Sequence, residues 1–325
     1  MISPDHIKKF DGILTHLETD RKIFILHPQA DGDAIASGFV FTKSFGGRCF
    51  IPDTISSTGK MVCRYLSYEP EILSKDSLKE ANQVFLLDFS NPSRIGPLAE
   101  LIEKPIIIDH HSPESGIRTA HLFSFPDRSS TAEIAFEIVE HSGKTLDTLS
   151  LKAVLLGILT DSGHFRYANV RTMENTGKIM KLLGGSLEEV MDALESSENP
   201  GKNIARLKAS QRMRYHRVGD FIVAESHISC FESSCCQAFL HAGADVAMVA
   251  SGEKGEFRIT GRAKEKLVRA GLDLGKFFST LSEVLPGEGG GHSGAASFNG
   301  RGNFTKALRI AVGRLEEELV KLGEK

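Results

Sequence analysis

The chain has 325 residues, a length that suggests two domains of about 150 residues, each large enough to bury a hydrophobic core. Its 41% apolar and 25% charged residues exclude a disordered, collagen-like or disulfide-stapled chain. The net charge of −3 excludes a uniformly basic protein that coats nucleic acid by charge alone. The charge is divided, because residues 1–199 carry 20 basic and 28 acidic side chains and residues 200–325 carry 19 and 14. This asymmetry indicates two parts with different tasks.

The cysteines and the N-terminal residues indicate the cellular compartment. The five cysteines lack a C-x-x-C pair, so neither a disulfide framework nor a zinc ribbon fits their spacing. Residues 1–17 carry charges where a secretory signal peptide needs an apolar segment. The longest strongly apolar run, Ala153–Leu159, is far shorter than the roughly 20 residues of a membrane-spanning helix. We therefore expect a cytoplasmic protein without membrane association.

The first half of the chain alternates short apolar runs with segments of helical periodicity. The predicted strands are Ile23–His27, Arg48–Pro52, Val84–Phe89 and Pro105–Asp109. The predicted helices are Ala34–Phe45, Pro92–Ile102, Ala132–His141 with Thr131 as the N-cap candidate, Leu151–Leu159, Thr172–Leu183 and Leu187–Leu194. Because two of the strands are continuously apolar, both faces of their sheet should be covered. This βαβ rhythm predicts an α/β fold in which a parallel sheet has helices on both faces.

The sequence pattern changes near residue 186. A break at residues 199–201 and the basic stretch Lys202–Arg217 indicate a linker, and a solvated linker helix explains these charges better than a nucleic-acid track. We therefore predict a first domain at 1–185, a linker helix at 186–217 and a smaller α/β domain at 218–325. The elements predicted for this last domain are the strands Phe221–Ser226, Val246–Ala250 and Phe257–Thr260, the helices Cys235–His241, Leu274–Leu281 and Phe304–Leu322, and the glycine-rich run Gly287–Gly294.

Side chains able to bind metal follow three predicted strands and one helix. They are His27, Asp31 and Asp33 after the first strand, Asp88 at the end of the third, Asp109, His110 and His111 at the end of the fourth, and Asp161 after the helix Leu151–Leu159. The carboxyl ends of parallel strands meet at one edge of a sheet, where ligands bind. Carboxylates gathered there would repel one another unless cations compensated them. Imidazole and carboxylate ligands without thiolate suit Mn²⁺, with Mg²⁺, Co²⁺ and Zn²⁺ as alternatives.

The number of these side chains favours two metal ions over one. Two divalent ions about 3.5–4 Å apart, bridged by one carboxylate, would use the whole set and suit an in-line displacement at phosphorus. Taken singly, the residues have ordinary explanations, since Asp33 could cap a helix and a His-His pair could lie on the surface. Their joint occurrence at the ends of predicted elements favours a metal site.

At these residues the sequence resembles the DHH phosphoesterase superfamily, which is named for its third motif, here Asp109-His110-His111. The other motifs are His27-x-x-x-Asp31-x-Asp33, Asp88 and Asp161, in the order of the family. The run Gly289–Ala296 resembles the signature of the DHHA1 substrate-binding domain that accompanies it. Ala30 stands where the family often has proline, and Ser297 where glycine is common after the two alanines. Neither departure affects an expected ligand, but both leave the substrate subfamily open.

The resemblance implies a role for each metal-site residue. One Mn²⁺ would be held by His27, Asp31 and Asp88, and the other by Asp33, Asp88, His110 and Asp161, with Asp88 as the bridge. Asp109 would orient His110, as a carboxylate behind a ligating imidazole does. His111 would face the scissile phosphate or the leaving oxygen. The attacking group would be a water activated by the two metals, so that no serine or cysteine nucleophile is needed.

The resemblance also implies the substrate-binding residues. Arg262 corresponds to an arginine that grips a substrate phosphate, although a solvated charge beside two lysines is its ordinary explanation. Gly289, Gly290 and Gly291 would let backbone N–H groups approach an anion, and His292 and Ser293 would add donors; a flexible loop is the alternative. Arg166 follows the fourth motif and is a candidate for contact with a phosphate or a base.

The function expected from the resemblance is Mn²⁺-dependent hydrolysis of short oligoribonucleotides or 3′,5′-bisphosphate nucleotides to mononucleotides, in a cleft between the domains. A cyclic-dinucleotide phosphodiesterase would use the same chemistry. A RecJ-type single-strand exonuclease is less favoured, because such chains are longer and because no Trp and four Tyr provide little stacking surface. A non-catalytic nucleotide-binding protein is disfavoured because every expected ligand is present. The expected partners are a short oligonucleotide or nucleotide phosphate and, in a homodimer, a second copy of the chain.

Overall fold

The computed structural model describes residues 3–89, 91–112, 121–185, 187–196, 200–253 and 255–323. The chain divides into two compact units, Met1–Ser197 and Glu198–Lys325. Across the described ranges, no helix is both long and apolar enough to cross a membrane.

The described part of the first unit contains a six-stranded sheet. Its strands are β1 (Lys22–Leu26), β2 (Arg48–Ile51), β3 (Glu71–Ile72), β4 (Gln83–Leu87), β5 (Ile106–Asp109) and β6 (His121–Ser124). Its helices are α1 (Pro4–Leu17), α2 (Gly32–Phe45), α3 (Ser57–Leu66), α4 (Lys75–Glu80), α5 (Thr131–His141), α6 (Thr148–Asp161), α7 (Val170–Leu183) and α8 (Glu188–Ser196), together with a 3₁₀ segment at Pro92–Leu101. The strand order is β3-β2-β1-β4-β5-β6, and every pair is parallel.

Both faces of this sheet are buried, as the apolar runs predict. Phe24 and Leu26 contribute to a core with the helices of one face, and Ile23 and Ile25 to a second core on the other face. The predicted α/β fold with a parallel sheet is therefore confirmed. The edge strands β3 and β6 are absent from the prediction because they are short and partly exposed, so they lack a buried strand's apolar run.

The strand order explains where a ligand site can form. From β1 the chain passes through α2 to β2 on one side, whereas β4 pairs with β1 on its other side. The carboxyl ends of β1 and β4 therefore lie at a topological switch point, where open parallel sheets bind ligands.

The second unit contains a mixed sheet among its described residues. Its strands are β7 (Arg214–Val218), β8 (Phe221–His227), β9 (Val246–Glu253), β10 (Glu256–Ala263), β11 (Gly287–His292) and β12 (Ala295–Arg301), and its helices are α9 (Pro200–Gln211), α10 (Glu232–His241), α11 (Glu265–Arg269), α12 (Leu274–Thr280) and α13 (Phe304–Gly323), with a 3₁₀ turn at Leu281–Glu283. The order is β11-β12-β10-β9-β8-β7, antiparallel except for the parallel pair β8 and β9.

Two features of this part differ from the sequence-based expectation. In place of one linker helix, segment 186–217 contains α8, α9 and the start of β7. Val190 of α8 is buried in a core of the first unit, and Ala205 of α9 packs in a core of the second. The glycine-rich run, for which the sequence pattern predicts no strand, forms β11 and the turn into β12.

Candidate functional site

The polar residues of the first motif occupy the turn between β1 and α2. His27 follows the last residue of β1, and Asp31 is the N-cap of α2. Asp31 Oδ1 accepts hydrogen bonds of 3.1 Å from the backbone N–H groups of Asp33 and Ala34. Asp33 lies in the first helical turn and is completely buried. A helix-capping sequence therefore also brings a histidine and two carboxylates to the switch point.

His27, Asp31 and Asp88 form a first group of donors, with one potential ligand atom from each within 4.8 Å of the others. His27 Nε2 lies 3.7 Å from Asp31 Oδ1 and 3.5 Å from Asp88 Oδ2. Its other ring nitrogen, Nδ1, is 2.8 Å from the carbonyl oxygen of Pro28. Because Nδ1 donates to this carbonyl, Nε2 is the nitrogen directed at the carboxylates.

Asp33, His110 and Asp161 form a second group with the same mutual limit of 4.8 Å. His110 Nε2 lies 3.1 Å from Asp161 Oδ2 and 3.4 Å from Asp88 Oδ1. Asp88 thus presents Oδ2 to the first group and Oδ1 to the second. It follows β4 with a φ of 64°, a left-handed conformation that is uncommon for a residue with a Cβ atom.

The N-terminus of α5 holds the carboxylates of the second group in place. Asp33 accepts hydrogen bonds from the N–H groups of Thr131 (2.6 Å, to Oδ2) and Ala132 (2.9 Å, to Oδ1). The Thr131 hydroxyl donates to Asp88 Oδ1 at 3.0 Å. A Cβ atom on Gly157 of α6 would lie 2.8 Å from Asp33 Oδ1 and 2.5 Å from Ala132 Cβ, so glycine is needed there.

These supporting roles of Thr131 and Gly157 are missing from the sequence-based prediction. Thr131 is only a cap candidate there, and the observed cap is Ser130, whose side chain accepts from the N–H of Glu133. The capping pattern could locate the start of α5. It could not show that this helix points at Asp33, because the two segments are about 100 residues apart.

Without a bound cation, the charged groups of the site strongly shift one another's pKa values. Burial opposes a charge on His27 and His110, but the carboxylates around them prevail and raise the pKa of His27 to about 10 and that of His110 to about 11. The pKa of Asp88 is lowered despite burial, because it contacts both histidines. The pKa of Asp33 is raised by burial and by the negative charges of Asp88 and Asp161. Two imidazolium ions therefore supply the positive charge that these carboxylates require.

Asp109 and His111 form a third group of donors with Asp88 and His110, again with one potential ligand atom from each within 4.8 Å of the others. Asp109 Oδ1 accepts from the backbone N–H of His111 at 3.1 Å and lies 2.8 Å from His111 Nδ1. The resemblance implied that Asp109 orients His110; among the described residues the hydrogen bonds of the Asp109 carboxylate run to His111. They also raise the pKa of His111, against the effect of burial. The His111 side chain is 59% exposed, so it faces open space.

The donor atoms fit divalent cations. His110 Nε2 is buried close to two carboxylate oxygens, yet its geometry makes no hydrogen bond. A cation between these atoms would complete the arrangement. A mixed set of imidazole and carboxylate donors suits Mn²⁺ and related ions. All six predicted ligands are brought together in two groups, and Asp88 of the first group contacts His110 of the second; their role as metal ligands stays a prediction.

In the second unit, Arg262 and the three glycines line one cavity of about 630 Å³. Arg262 Nε donates to Ser233 Oγ at 2.9 Å, which leaves the rest of its guanidinium for a ligand. Arg258 lines the same cavity. His292 and Ser293 line a neighbouring cavity with Lys276, and Gly291 lines both cavities.

Two of the three glycines are explained by packing. A Cβ atom on Gly289 would lie 2.4 Å from the carbonyl oxygen of Phe278 in α12. Gly291 has a φ of 147°, and its Cβ would lie 2.6 Å from the carbonyl oxygen of Ala295. A Cβ on Gly290 would meet only Ser279 Oγ, at 3.9 Å. Close approach of α12 and β12 to the strand therefore requires glycine at 289 and 291, whereas position 290 has room for a side chain.

Arg166 lies in the turn between α6 and α7, five residues after Asp161. Its guanidinium carbon is 5.6 Å from the centroid of the Tyr167 ring. The sequence-based prediction named Arg166 but not Tyr167.

A parallel α/β sheet with histidine and aspartate donor groups at its switch point fits a metal-dependent hydrolase. Residues 22–158 match the model of the DHH family N-terminal domain. This part of the chain is therefore a DHH-family domain, and DHH-family proteins bind divalent metals and hydrolyse phosphoric ester bonds. The resemblance seen in the sequence motifs is confirmed.

Comparison with individual proteins gives three similarities. The chain is 29% identical over 303 residues to an uncharacterised protein of Methanocaldococcus jannaschii, covering 88% of this chain and 89% of the relative. It is also 29% identical over 176 residues to the bifunctional oligoribonuclease and PAP phosphatase NrnA of Thermus thermophilus, covering 52% of each. A solved structure of an exopolyphosphatase-related protein from Bacteroides fragilis matches 99% of both chains with a TM-score of 0.65 and 19% identity, which shows a common fold.

Proposed function

We propose that this protein is a Mn²⁺-dependent cytoplasmic phosphoesterase that hydrolyses short oligoribonucleotides or 3′,5′-bisphosphate nucleotides to mononucleotides. The observation that carries the proposal is the position of Asp88, which gives one carboxylate oxygen to each donor group. A shared carboxylate is what a two-metal site for in-line displacement at phosphorus requires. The similarity to NrnA over half the chain supports a nucleotide substrate.

The residues of the site divide the chemistry among them. Two divalent ions would supply an activated water and neutralise charge on the phosphate. In the protein itself, Thr131 and Ala132 hold the ligand Asp33 with their N–H groups. His111, fixed at Nδ1 by Asp109, has Nε2 free to donate a proton to the leaving oxygen. The hydrogen bond to Asp109 raises the pKa of His111, which favours the protonated ring.

Substrate binding is assigned to the cavity of the second unit. Arg262 is held by Ser233 and shares the cavity with Arg258, so two guanidinium groups face one space. Guanidinium groups bind phosphate bidentately, which supports a role in holding a substrate phosphate. The net positive charge of residues 200–325 agrees with this role.

The test is a comparison of rates with Mn²⁺ on four substrates: pApA, a five-residue RNA, pAp and cyclic di-AMP. We expect turnover of pApA, the RNA or pAp to exceed that of cyclic di-AMP, and Asp88→Ala to abolish it. The matched control is Asp20→Ala, an exposed aspartate that precedes β1 at the amino end of the sheet. Wild-type rates no higher than those of Asp88→Ala would contradict phosphoesterase activity. Preferential hydrolysis of cyclic di-AMP would contradict the proposed substrate class.

A further inference from the structure

Tyr167 is an exposed aromatic residue that the proposed chemistry does not use. Tyr167 is 70% exposed. Among the described residues, the other strongly exposed tyrosine is Tyr215 of the second unit, which is 72% exposed. Exposure of a large aromatic ring costs free energy in water unless something else covers it. Tyr167 follows the proposed metal ligand Asp161 by six residues in the chain. A substrate bound near Asp161 would cover such a ring.

The turn that carries Tyr167 is tightly built. Ser162 accepts a hydrogen bond from the N–H of Tyr167 at its carbonyl (2.9 Å) and one from the N–H of Phe165 at its hydroxyl (3.0 Å). His164 and Phe165 both have positive φ, 58° and 67°, which is uncommon for residues with a Cβ atom. The Phe165 side chain packs against the main core of the first unit. The ring of Tyr167 is therefore presented by a fixed scaffold.

The ring lies on the turn that begins directly after the proposed ligand Asp161, the last residue of α6. A Cβ atom on Gly163 would lie 3.3 Å from ring carbons of Tyr167, and Gly163 is two residues from Asp161. The guanidinium carbon of Arg166 lies 5.6 Å from the ring centroid. A flat aromatic face next to a planar cation is a combination that stacks with nucleobases. Inorganic phosphates have no flat apolar surface for such a platform.

We propose that Tyr167 and Arg166 form a stacking platform for one nucleobase of the substrate. This proposal deepens the proposed function, on which it rests, by assigning the substrate class to phosphoesters that carry a base next to the scissile phosphate. The platform offers one ring rather than a row of rings, which fits a short substrate. Inorganic pyrophosphate and polyphosphate would gain nothing from it.

The test compares each variant on a base-containing substrate and on its abasic counterparts. Steady-state kinetics with Mn²⁺ are measured on pApA and on the two analogues in which one adenine is missing. Tyr167→Ala should raise KM for pApA about tenfold or more, the effect of losing one stacked base. For the abasic analogue that lacks the base stacked on Tyr167, the KM values of the wild type and of Tyr167→Ala should agree within twofold. Tyr167→Phe, which keeps the ring, should behave like the wild type.

Tyr215→Ala is the matched control, because Tyr215 is the same residue type at nearly the same exposure in the other unit. It should leave KM for all three substrates unchanged. A Tyr167→Ala variant that lowers activity equally on pApA and on both abasic analogues would overturn the platform, as would one with no effect. If Tyr167→Ala instead changes the oligomeric state in sedimentation, the ring covers a protein interface and the proposal is also overturned.

A binding measurement separates failure of the platform from failure of the proposed function. Titration of the wild type and of Tyr167→Ala with AMP reports stacking without any turnover. A wild type that hydrolyses none of the substrates contradicts the proposed function, but weaker AMP binding by Tyr167→Ala would still support a base site. Equal AMP affinity in the two proteins overturns the platform.

Discussion

The two candidate sites are built in opposite ways. In the first unit, Asp33 and Asp109 are completely buried, Asp88 is 4% exposed, and their oxygens contact groups that cannot move independently of the sheet and helices. In the second unit, the Arg262 guanidinium lines a cavity that is open to solvent, and one serine contact holds it. Buried ligands suit chemistry, which needs fixed geometry, whereas an open arginine suits recognition of a flexible phosphate.

This contrast predicts which property a substitution in each site should change. A change in the buried site should affect metal binding and the rate of the chemical step, because each ligand is also a structural contact. A change in the open cavity should affect substrate binding with little effect on the rate at saturation.

The largest effect is expected for Asp88→Asn. The substitution keeps the size of the side chain but removes the charge that both donor groups share, so kcat should fall by a factor on the order of 10³ or more. Calorimetric titration with Mn²⁺ should show loss of at least one of two sites. Two intact sites with normal affinity would contradict the bridging role of Asp88.

Arg262→Ala should mainly affect substrate binding. Loss of a charged hydrogen bond worth about 1.5–3 kcal/mol should raise KM for phosphate-terminated substrates about 10- to 100-fold, with kcat nearly unchanged. Arg269→Ala, an exposed arginine at the end of α11, is the control and should leave KM unchanged. A fall in kcat without a change in KM would contradict a role of Arg262 in substrate binding.

Metal affinity should depend on pH, whereas the arginine cavity should not. The pKa values of about 10 for His27 and 11 for His110 mean that both rings carry a proton at neutral pH in the metal-free protein. Each ion must displace such a proton, so the affinity of each site should rise about tenfold per pH unit between pH 6 and 9. Calorimetry in buffers of different ionisation enthalpy measures the protons released. Metal binding without proton release would contradict the assignment of these histidines.

Thr131→Val should weaken metal binding by about tenfold, because it removes the hydroxyl that orients Asp88 while keeping the shape of the side chain. Thr131→Ser, which restores the hydroxyl, should recover most of the affinity. The readout is Mn²⁺ affinity, together with the melting temperature to separate loss of orientation from loss of folding. Unchanged affinity in Thr131→Val would contradict this role, and a loss in Thr131→Ser alone would show that the methyl group, not the hydroxyl, matters.

The smallest effects separate the glycines of β11. Gly289→Ala should lower the free energy of unfolding by about 1–3 kcal/mol, since its Cβ would overlap the carbonyl oxygen of Phe278. Gly290→Ala should change stability by less than about 0.5 kcal/mol. Chemical denaturation measures both. If Gly290→Ala nevertheless raises KM, backbone approach to an anion is the reason for glycine at that position.

The sequence alone determined the fold class and the identity of the polar residues at the switch point. Continuous apolar runs such as Ile106–Ile108 can be stable only as covered strands, and the residue after such a strand must lie at the sheet edge. The clustering of His27, Asp88 and His110 therefore follows from local pattern and the rules of parallel sheets.

The tertiary structure decided everything that depends on distant segments meeting. Local pattern could not show that Thr131 and Ala132 donate to Asp33, that Gly157 makes room for it, or that Asp109 contacts His111 instead of His110. It could not show that the glycine run is a packed strand, because glycine has no side chain whose periodicity reports its partner. Such contacts depend on how helices approach strands, and that geometry is set by the packing of the whole core rather than by any one segment.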